Sequence, residues 1–354
     1  MKKIAIWFKT LIFSIAVSLL SIAGFNYAVD TNMVFHPENI KVITEKIMDG
    51  HMVSYNLNIS DRRIQSLVVE DSDTKIDTVI IGSSRSAQVG IEHFNKNAVK
   101  GTFWNNSVAG AGFEDFLGIT GIYIREGYLP KMMLIFVDPW IFNKNNFDSR
   151  YKDIESEYNL AKNIIFGDNS DSKEVKSPLS GLSALTSLDY TKENLKSLFR
   201  GNEYEIVEKR QPKKFVRGPG GRIYYPLERD DSKRIMADIK SFISPPVYRL
   251  EGFDSIDHTK RFESYIKYLT DNDVDVALAL TPYPPFVYDF LTINNNYKVI
   301  ISVENYILDF AAKKDLQVLG SYSPYKLNLS NSDFLDGMHP KDYIYTEILA
   351  PYNR

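Results

Sequence analysis

The chain has 354 residues, of which 42 are basic and 45 acidic, giving a net charge of −3, and 44% are hydrophobic. That apolar content supports a sizeable core in one large domain or two small ones, and the near-neutral balance leaves no global nucleic-acid signature. There is no cysteine, which excludes disulfides, thiolate metal sites and a cysteine nucleophile.

Lys2, Lys3 and Lys9 precede an uncharged run from Thr10 to Val29. As a helix this run is long enough to cross about 30 Å of hydrocarbon. The positive-inside rule keeps the lysines in the cytoplasm and puts Asp30 onward outside. The run is longer than the apolar stretch of an ordinary signal peptide, and no small-x-small cleavage pattern follows it. The expectation is an uncleaved anchor over residues 1–29, single-pass in the inner (cytoplasmic) membrane, with the rest of the chain in the periplasm or beyond. Residues 30–74 are mixed and polar and read as a helical stalk approaching the first strand.

Five short apolar runs read as strands: Thr78–Ile81, Thr102–Trp104, Met132–Val137, Val274–Leu280 and Leu316–Leu319. Segments of helical period lie between several of them. Phe113–Arg125 places Phe116, Ile119, Thr120 and Tyr123 on one face, and His258–Leu269 and Val303–Ala312 are similar. Strands alternating with helices predict an α/β domain over residues 75–354, a parallel sheet with helices on both faces. The alternation breaks between about 145 and 250, where Asp, Asn, Ser and Lys are frequent; this reads as an insertion that caps a site at the carboxyl edge of the sheet. Within it, Lys209 to Arg222 carries six basic residues and three glycines. That stretch reads as a solvated, flexible loop, with contact to a lipid phosphate or an acidic glycan as its other reading.

Two segments carry chemistry. Asp77-Thr78-Val79-Ile80-Ile81-Gly82-Ser83-Ser84-Arg85 is a buried strand that runs into a serine on a tight turn, where glycine permits the sharp bend. Asp336-Gly337-Met338-His339-Pro340 stands before a final helix. Taken singly, the serines would be helix caps and the histidine structural. In this order and about 250 residues apart, they supply a nucleophile, its base and the carboxylate that orients the base. His36, His51, His93 and His258 lack such a setting. No metal-ligand spacing, phosphate loop or dinucleotide fingerprint occurs, so neither metal nor cofactor is expected.

These blocks resemble the SGNH/GDSL hydrolase superfamily, and among its members the membrane-anchored bacterial proteins whose first block is Gly-Ser-Ser. The resemblance covers roughly residues 75–143 and 255–350. It implies a three-layer α/β/α domain with a five-stranded parallel sheet, one N-terminal transmembrane helix and a helical or loop insertion. Ser84 takes the nucleophile position, with Ser83 as the fallback, and Asp336 and His339 match the fourth block. Trp104-Asn105-Asn106-Ser107-Val108-Ala109-Gly110-Ala111-Gly112 matches the second block, which gives Gly110 and Ser84 the backbone donors of an oxyanion hole. The third block of the family, Gly-x-Asn-Asp, is replaced by Phe136-Val137-Asp138-Pro139-Trp140-Ile141-Phe142-Asn143. A carboxylate at Asp138 cannot donate to an oxyanion unless protonated; Asn143 is a candidate to swing in as a donor. Arg85 either binds an anionic group of the substrate or pairs with a carboxylate, and Tyr283, in Leu280-Thr281-Pro282-Tyr283-Pro284-Pro285, is expected at the pocket rim.

What the resemblance implies is transfer of an acyl group, most simply acetyl, to a cell-surface or secreted glycan, or its removal, through an ester on Ser84. Relatives of this architecture often act beside a multi-pass membrane-bound acyltransferase, so that protein and the glycan are the expected partners. The altered third block leaves a second function open: a non-catalytic glycan-binding or scaffold subunit of an envelope polysaccharide assembly complex. A carboxyl-ester or lipid esterase is the third.

Overall fold

The computed structural model describes residues 2–352 apart from 32, 37, 56–58, 96, 97, 100, 169–181 and 199–203. Nine strands occur among the described residues: β1 (Met52–Tyr55), β2 (Thr78–Ile81), β3 (Phe103–Asn105), β4 (Met132–Phe136), β5 (Tyr204–Val207), β6 (Val216–Arg217), β7 (Ile223–Tyr224), β8 (Asp275–Leu280) and β9 (Gln317–Gly320). Five form a sheet of order β3-β2-β4-β8-β9, and four form a second of order β5-β1-β6-β7. The first is parallel throughout, with Thr78 opposite Phe103 and Met132, Phe136 opposite Ala279, and Leu280 opposite Gly320. All five runs expected from the sequence are strands of this sheet, shifted by a residue or so at their ends.

A parallel sheet must be covered on both faces. Alternation along the strands sends Val79, Ile81, Met133, Ile135, Val276 and Leu278 into one apolar layer, and Ile80, Leu134, Phe136, Ala277 and Ala279 into the other. The first layer is thick. Helices Phe113–Arg125, Thr259–Asp271 and Val299–Lys314 bury Phe116, Ile119, Tyr123, Phe262, Ile266 and Ile307 there. The second layer is thin, and the α-helix in it, Ile344–Leu349, has six residues. Connections between parallel strands are right-handed, so the step from β2 to β3 and the opposite steps out to β4, β8 and β9 pass on different sides. The long helices all belong to the latter.

Two expectations are corrected. Residues 30–74 are not a stalk: helices Glu38–Met48 and Asp61–Glu70 bury Ile40, Ile43, Ile47, Ile64 and Val68 in the same core as β2. The polar average of that segment conceals apolar residues three and four apart, which is the spacing that matters. Nor is Lys209 to Arg222 a free cationic loop. It contains β6, which pairs with β1 through Val53 and Arg217. The Arg217 guanidinium is buried, donating to the Tyr55 hydroxyl (2.8 Å) and to Asp61 (2.6 Å). Arg222 pairs with Glu92 and Asp342.

At the N-terminus, helix Lys2–Val29 contains a span, Ile6–Val29, with mean hydropathy 1.9, long and apolar enough to cross a membrane.

Gly82, directly after β2, has no left-handed φ, so the sharp-bend argument does not explain it. Space does. A Cβ there would stand 2.8 Å from Phe136 Cβ on the neighbouring β4 and 2.2 Å from Ser86 Oγ. Gly82→Ala is therefore expected to lower the unfolding free energy by about 1–3 kcal/mol, as overpacking does. Urea titration of the purified protein checks this; an unchanged midpoint would show that the β2–β4 contact yields freely.

Candidate active site

Along the chain β2 is the first strand of the parallel sheet, and β3 and β4 flank it on either side. Where successive connections leave a parallel sheet in opposite directions, a crevice opens at the carboxyl ends of the strands. The turn holding Ser84 stands there. Ser86 N–H bonds the Ser83 carbonyl and Val89 N–H bonds that of Ser86, which coils the chain tightly after the strand. Ser84 is left half-exposed.

The far end of the chain meets this turn. A bridge between Phe334 and Pro340 closes a loop carrying Asp336 and His339. Gln88 donates to the Pro340 carbonyl (2.8 Å), tying the loop to the serine turn. His339 Nε2 lies 2.9 Å from Ser84 Oγ. On the other side of the ring, Nδ1 is 2.9 Å from both Asp336 oxygens. The carboxylate is itself anchored, since Oδ1 accepts the backbone N–H groups of Met338 (2.9 Å) and His339 (3.0 Å). With Nδ1 against a carboxylate, the imidazole carries its proton there and presents a lone pair at Nε2 to the serine. Ser84, His339 and Asp336, singled out from motif order, are thus brought into one hydrogen-bonded chain.

The second block lies alongside. Val108 N–H donates to the Gly82 carbonyl (3.0 Å), fastening this loop to the serine turn. Gly110 has φ +55°, a conformation that suits glycine, and its carbonyl is turned to Arg150. The N–H groups of Gly110 and Ser84 bond to no acceptor among the described residues, so both remain available to a ligand.

Other expectations are revised. Ser83 is buried; its hydroxyl accepts from Arg85 N–H (3.1 Å) and bonds Asp138, while His339 bonds Ser84. Asn143 does not replace the third-block donor, because its side-chain amide donates to the carbonyls of Arg249 and Glu251 (3.1 Å each). Arg85 is fully buried, and of its two readings the structure shows the pairing with a carboxylate, Asp138 (2.9 Å). Tyr283 is fully buried as well, its ring 3.9 Å from the Arg85 guanidinium, so it supports the site from beneath rather than lining a rim.

Three residues of the insertion escaped the sequence reading. Arg229 donates to Asp336 Oδ2 (2.7 Å). The Tyr225 ring lies 5.2 Å from that of His339, and its hydroxyl donates to the Ser84 carbonyl (3.3 Å). Phe242 packs where a Cβ on Gly337 would fall. Each contact spans about a hundred residues or more, and no local pattern around these side chains signals it; only the expectation that the insertion caps the site pointed to the region. Among the described residues no group of three or more His, Asp or Glu side chains is placed to hold a metal ion. The chain matches no protein-family model, and no curated protein is significantly similar to it.

Burial pushes the Asp336 carboxyl up, but the His339 ring, the Met338 N–H and the Arg229 guanidinium outweigh it and hold the group at about 2. A folded-state value below the unfolded one stabilises the protein above the unfolded pKa of about 4, and that stabilisation disappears as the pH falls toward 2. Between pH 5 and pH 2 the wild type should therefore lose about 2 kcal/mol more than Asp336→Asn. Chemical denaturation of both proteins at each pH measures this; parallel pH profiles would contradict it. A second outcome concerns Arg85→Met, which leaves the buried Asp138 carboxylate without its cation. A loss of about 3–5 kcal/mol is expected, read as a fall in the thermal midpoint.

Proposed function

We propose that this chain is an SGNH-type serine acyltransferase or esterase of three-layer design, acting on a cell-surface or secreted glycan. The observation that carries the reading is the hydrogen-bonded chain from Ser84 Oγ through His339 to Asp336. His339 Nε2 takes the serine proton as Oγ attacks the acyl carbonyl. Negative charge on that oxygen is met by the N–H groups of Ser84 and Gly110; in such sites one well-aimed donor is worth about 3–4 kcal/mol of the barrier. The imidazolium, stabilised by Asp336, returns its proton to the leaving group and leaves an ester on Ser84. A sugar hydroxyl, or water, then gives its proton to Nε2, attacks the ester carbonyl and releases Ser84. The acyl group is most simply acetyl. The lysine-flanked N-terminal helix supports placement outside the cytoplasm on an inner-membrane anchor, beside a multi-pass membrane-bound acyltransferase that would deliver the acyl group.

One observation favours a second reading. With Asn143 bonded to two carbonyls, the third block adds no side-chain donor, which suits a non-catalytic glycan-binding or scaffold subunit. A fluorophosphonate probe separates the two. On the catalytic reading it labels Ser84, and Ser84→Ala and His339→Ala each lower glycan acylation by about 10⁴-fold or more, with the double variant no worse than either. Asp336→Ala keeps more activity, because that residue orients and stabilises the base. Folded protein that takes no label, in cells whose glycan stays acylated when Ser84 is replaced, would leave the scaffold reading.

A further inference from the structure

The outer end of the N-terminal helix is held in a polar knot. Asn26 is fully buried, and its amide donates to the carbonyls of Ala184 (3.2 Å) and Leu185 (2.8 Å) and to Thr191 Oγ1 (2.9 Å). Asn194 donates back to Asn26 Oδ1 (3.1 Å) and accepts the N–H of Thr31 (3.0 Å). The Tyr190 hydroxyl donates to the buried Asp30 (2.6 Å). Two short helices, Leu182–Leu185 and Leu188–Ser197, are thereby fixed against the last turns of the N-terminal helix.

The second of these helices has distinct faces. Tyr190 and Asn194, one turn apart, are buried in the knot. Leu188 and Leu195, two turns apart, and Leu198 just beyond the last turn are 66%, 53% and 58% exposed. Going round the helix one way from the leucines, Lys192 and Lys196 come next and Asp189 and Glu193 lie beyond them, each paired with a lysine (3.4 and 2.6 Å); the other way lies the buried face of Tyr190 and Asn194. An apolar strip bordered on its open side by lysines, with carboxylates farther round, is arranged as in a helix lying in a membrane surface; lysine stems lie along the apolar boundary while their ammonium groups reach away from it, to the carboxylates. The depth agrees. Asn26 stands less than a turn from the end of a span, Ile6–Val29, that at 1.5 Å per residue fills a hydrocarbon layer of about 30 Å. Its partners Ala184 and Leu185 are therefore level with the edge of that layer.

We infer that helix Leu188–Ser197 lies in the surface of the bilayer that the N-terminal helix crosses, with Leu188, Leu195 and Leu198 among the lipids. This rests on the N-terminal helix being a membrane span. Lipid is favoured over a protein partner because the helix is bonded to the span itself, at the level where hydrocarbon gives way to headgroups.

The absence of cysteine allows single labels without background. Full-length Leu195→Cys, Asp189→Cys and Leu20→Cys, each carrying a nitrobenzoxadiazole fluorophore, are reconstituted in phosphatidylcholine–phosphatidylglycerol vesicles. A fraction of the lipid bears a nitroxide near the headgroup end of its acyl chain. Quenching is expected at 20 and at 195, and at 195 roughly threefold or more above that at 189, as for a helix with one face in the lipid boundary. Quenching at 20 but not at 195 overturns the inference and leaves the span intact. No quenching at 20 removes the span and the inference with it. A label at 195 that is shielded only at high protein density, and unquenched by the nitroxide lipid, assigns the face to a second copy and also overturns the inference.

Discussion

The buried guanidinium of Arg85 is the interaction on which the site depends. It donates to Asp138 at the end of β4, to the carbonyls of Thr281 and Pro282 after β8 (2.6 and 2.9 Å), and to the Met338 carbonyl beside His339 (3.1 Å). Four acceptors on three chain segments, the ends of β4 and β8 and the histidine loop, are thus held by one planar group, whose donors radiate in fixed directions. Tyr283 lies against one face of it and the Tyr345 hydroxyl bonds the carbonyl of the same residue (2.6 Å). Burying a cation is costly unless it is paired and fully bonded, and here the bonding is what sets Ser84, the next residue back, opposite the histidine loop. The residue next to Ser84 is thereby committed to architecture.

The insertion completes what Arg85 begins. Its antiparallel sheet is docked on the serine turn through Ile223 N–H to the Ala87 carbonyl (2.7 Å). From β7 the chain runs directly to Tyr225 beside His339 and then to Arg229 on Asp336. Arg229 binds the carboxylate oxygen that the backbone N–H groups leave open, so both oxygens of Asp336 accept donors and its orientation is fixed from several sides. Since β1 is a central strand of that sheet and follows the buried helix Glu38–Met48, the N-terminal third of the chain helps form the wall of the site.

How much of this was legible from the residues differs by kind of signal. The five parallel strands were visible because each is a short, largely apolar run, buried along nearly all of the three central strands, bounded by polar or glycine residues. The spatial relation of Ser84, Asp336 and His339 was visible because the order of two short motifs constrains which sheet edge they reach. The burial of Ile40, Ile43 and Ile47 was missed because average polarity was weighed before period. The role of Arg85 was left between two readings, since a cation after a serine is the same in sequence whether it faces solvent or four acceptors. Arg229 and Tyr225 lie in a segment whose small strands, two residues each for β6 and β7, are too short to leave a periodic trace; only tertiary pairing with β1 defines them.

The exit of the N-terminal helix sets how the domain is held against that helix. Asp30 accepts the N–H groups of Val34 (2.8 Å), Phe35 (2.8 Å) and His36 (2.7 Å), and the hydroxyl of Tyr190. A carboxylate that gathers four donors fixes the direction of the chain as it leaves the helix, because each bond constrains a different backbone or side-chain vector. The next element, Glu38–Met48, is already in the core. The joint between helix and domain is therefore a bonded corner and not a flexible tether. If the helix crosses a membrane, the crevice at Ser84 has a set orientation toward that membrane, because the joint leaves the domain no slack with which to turn.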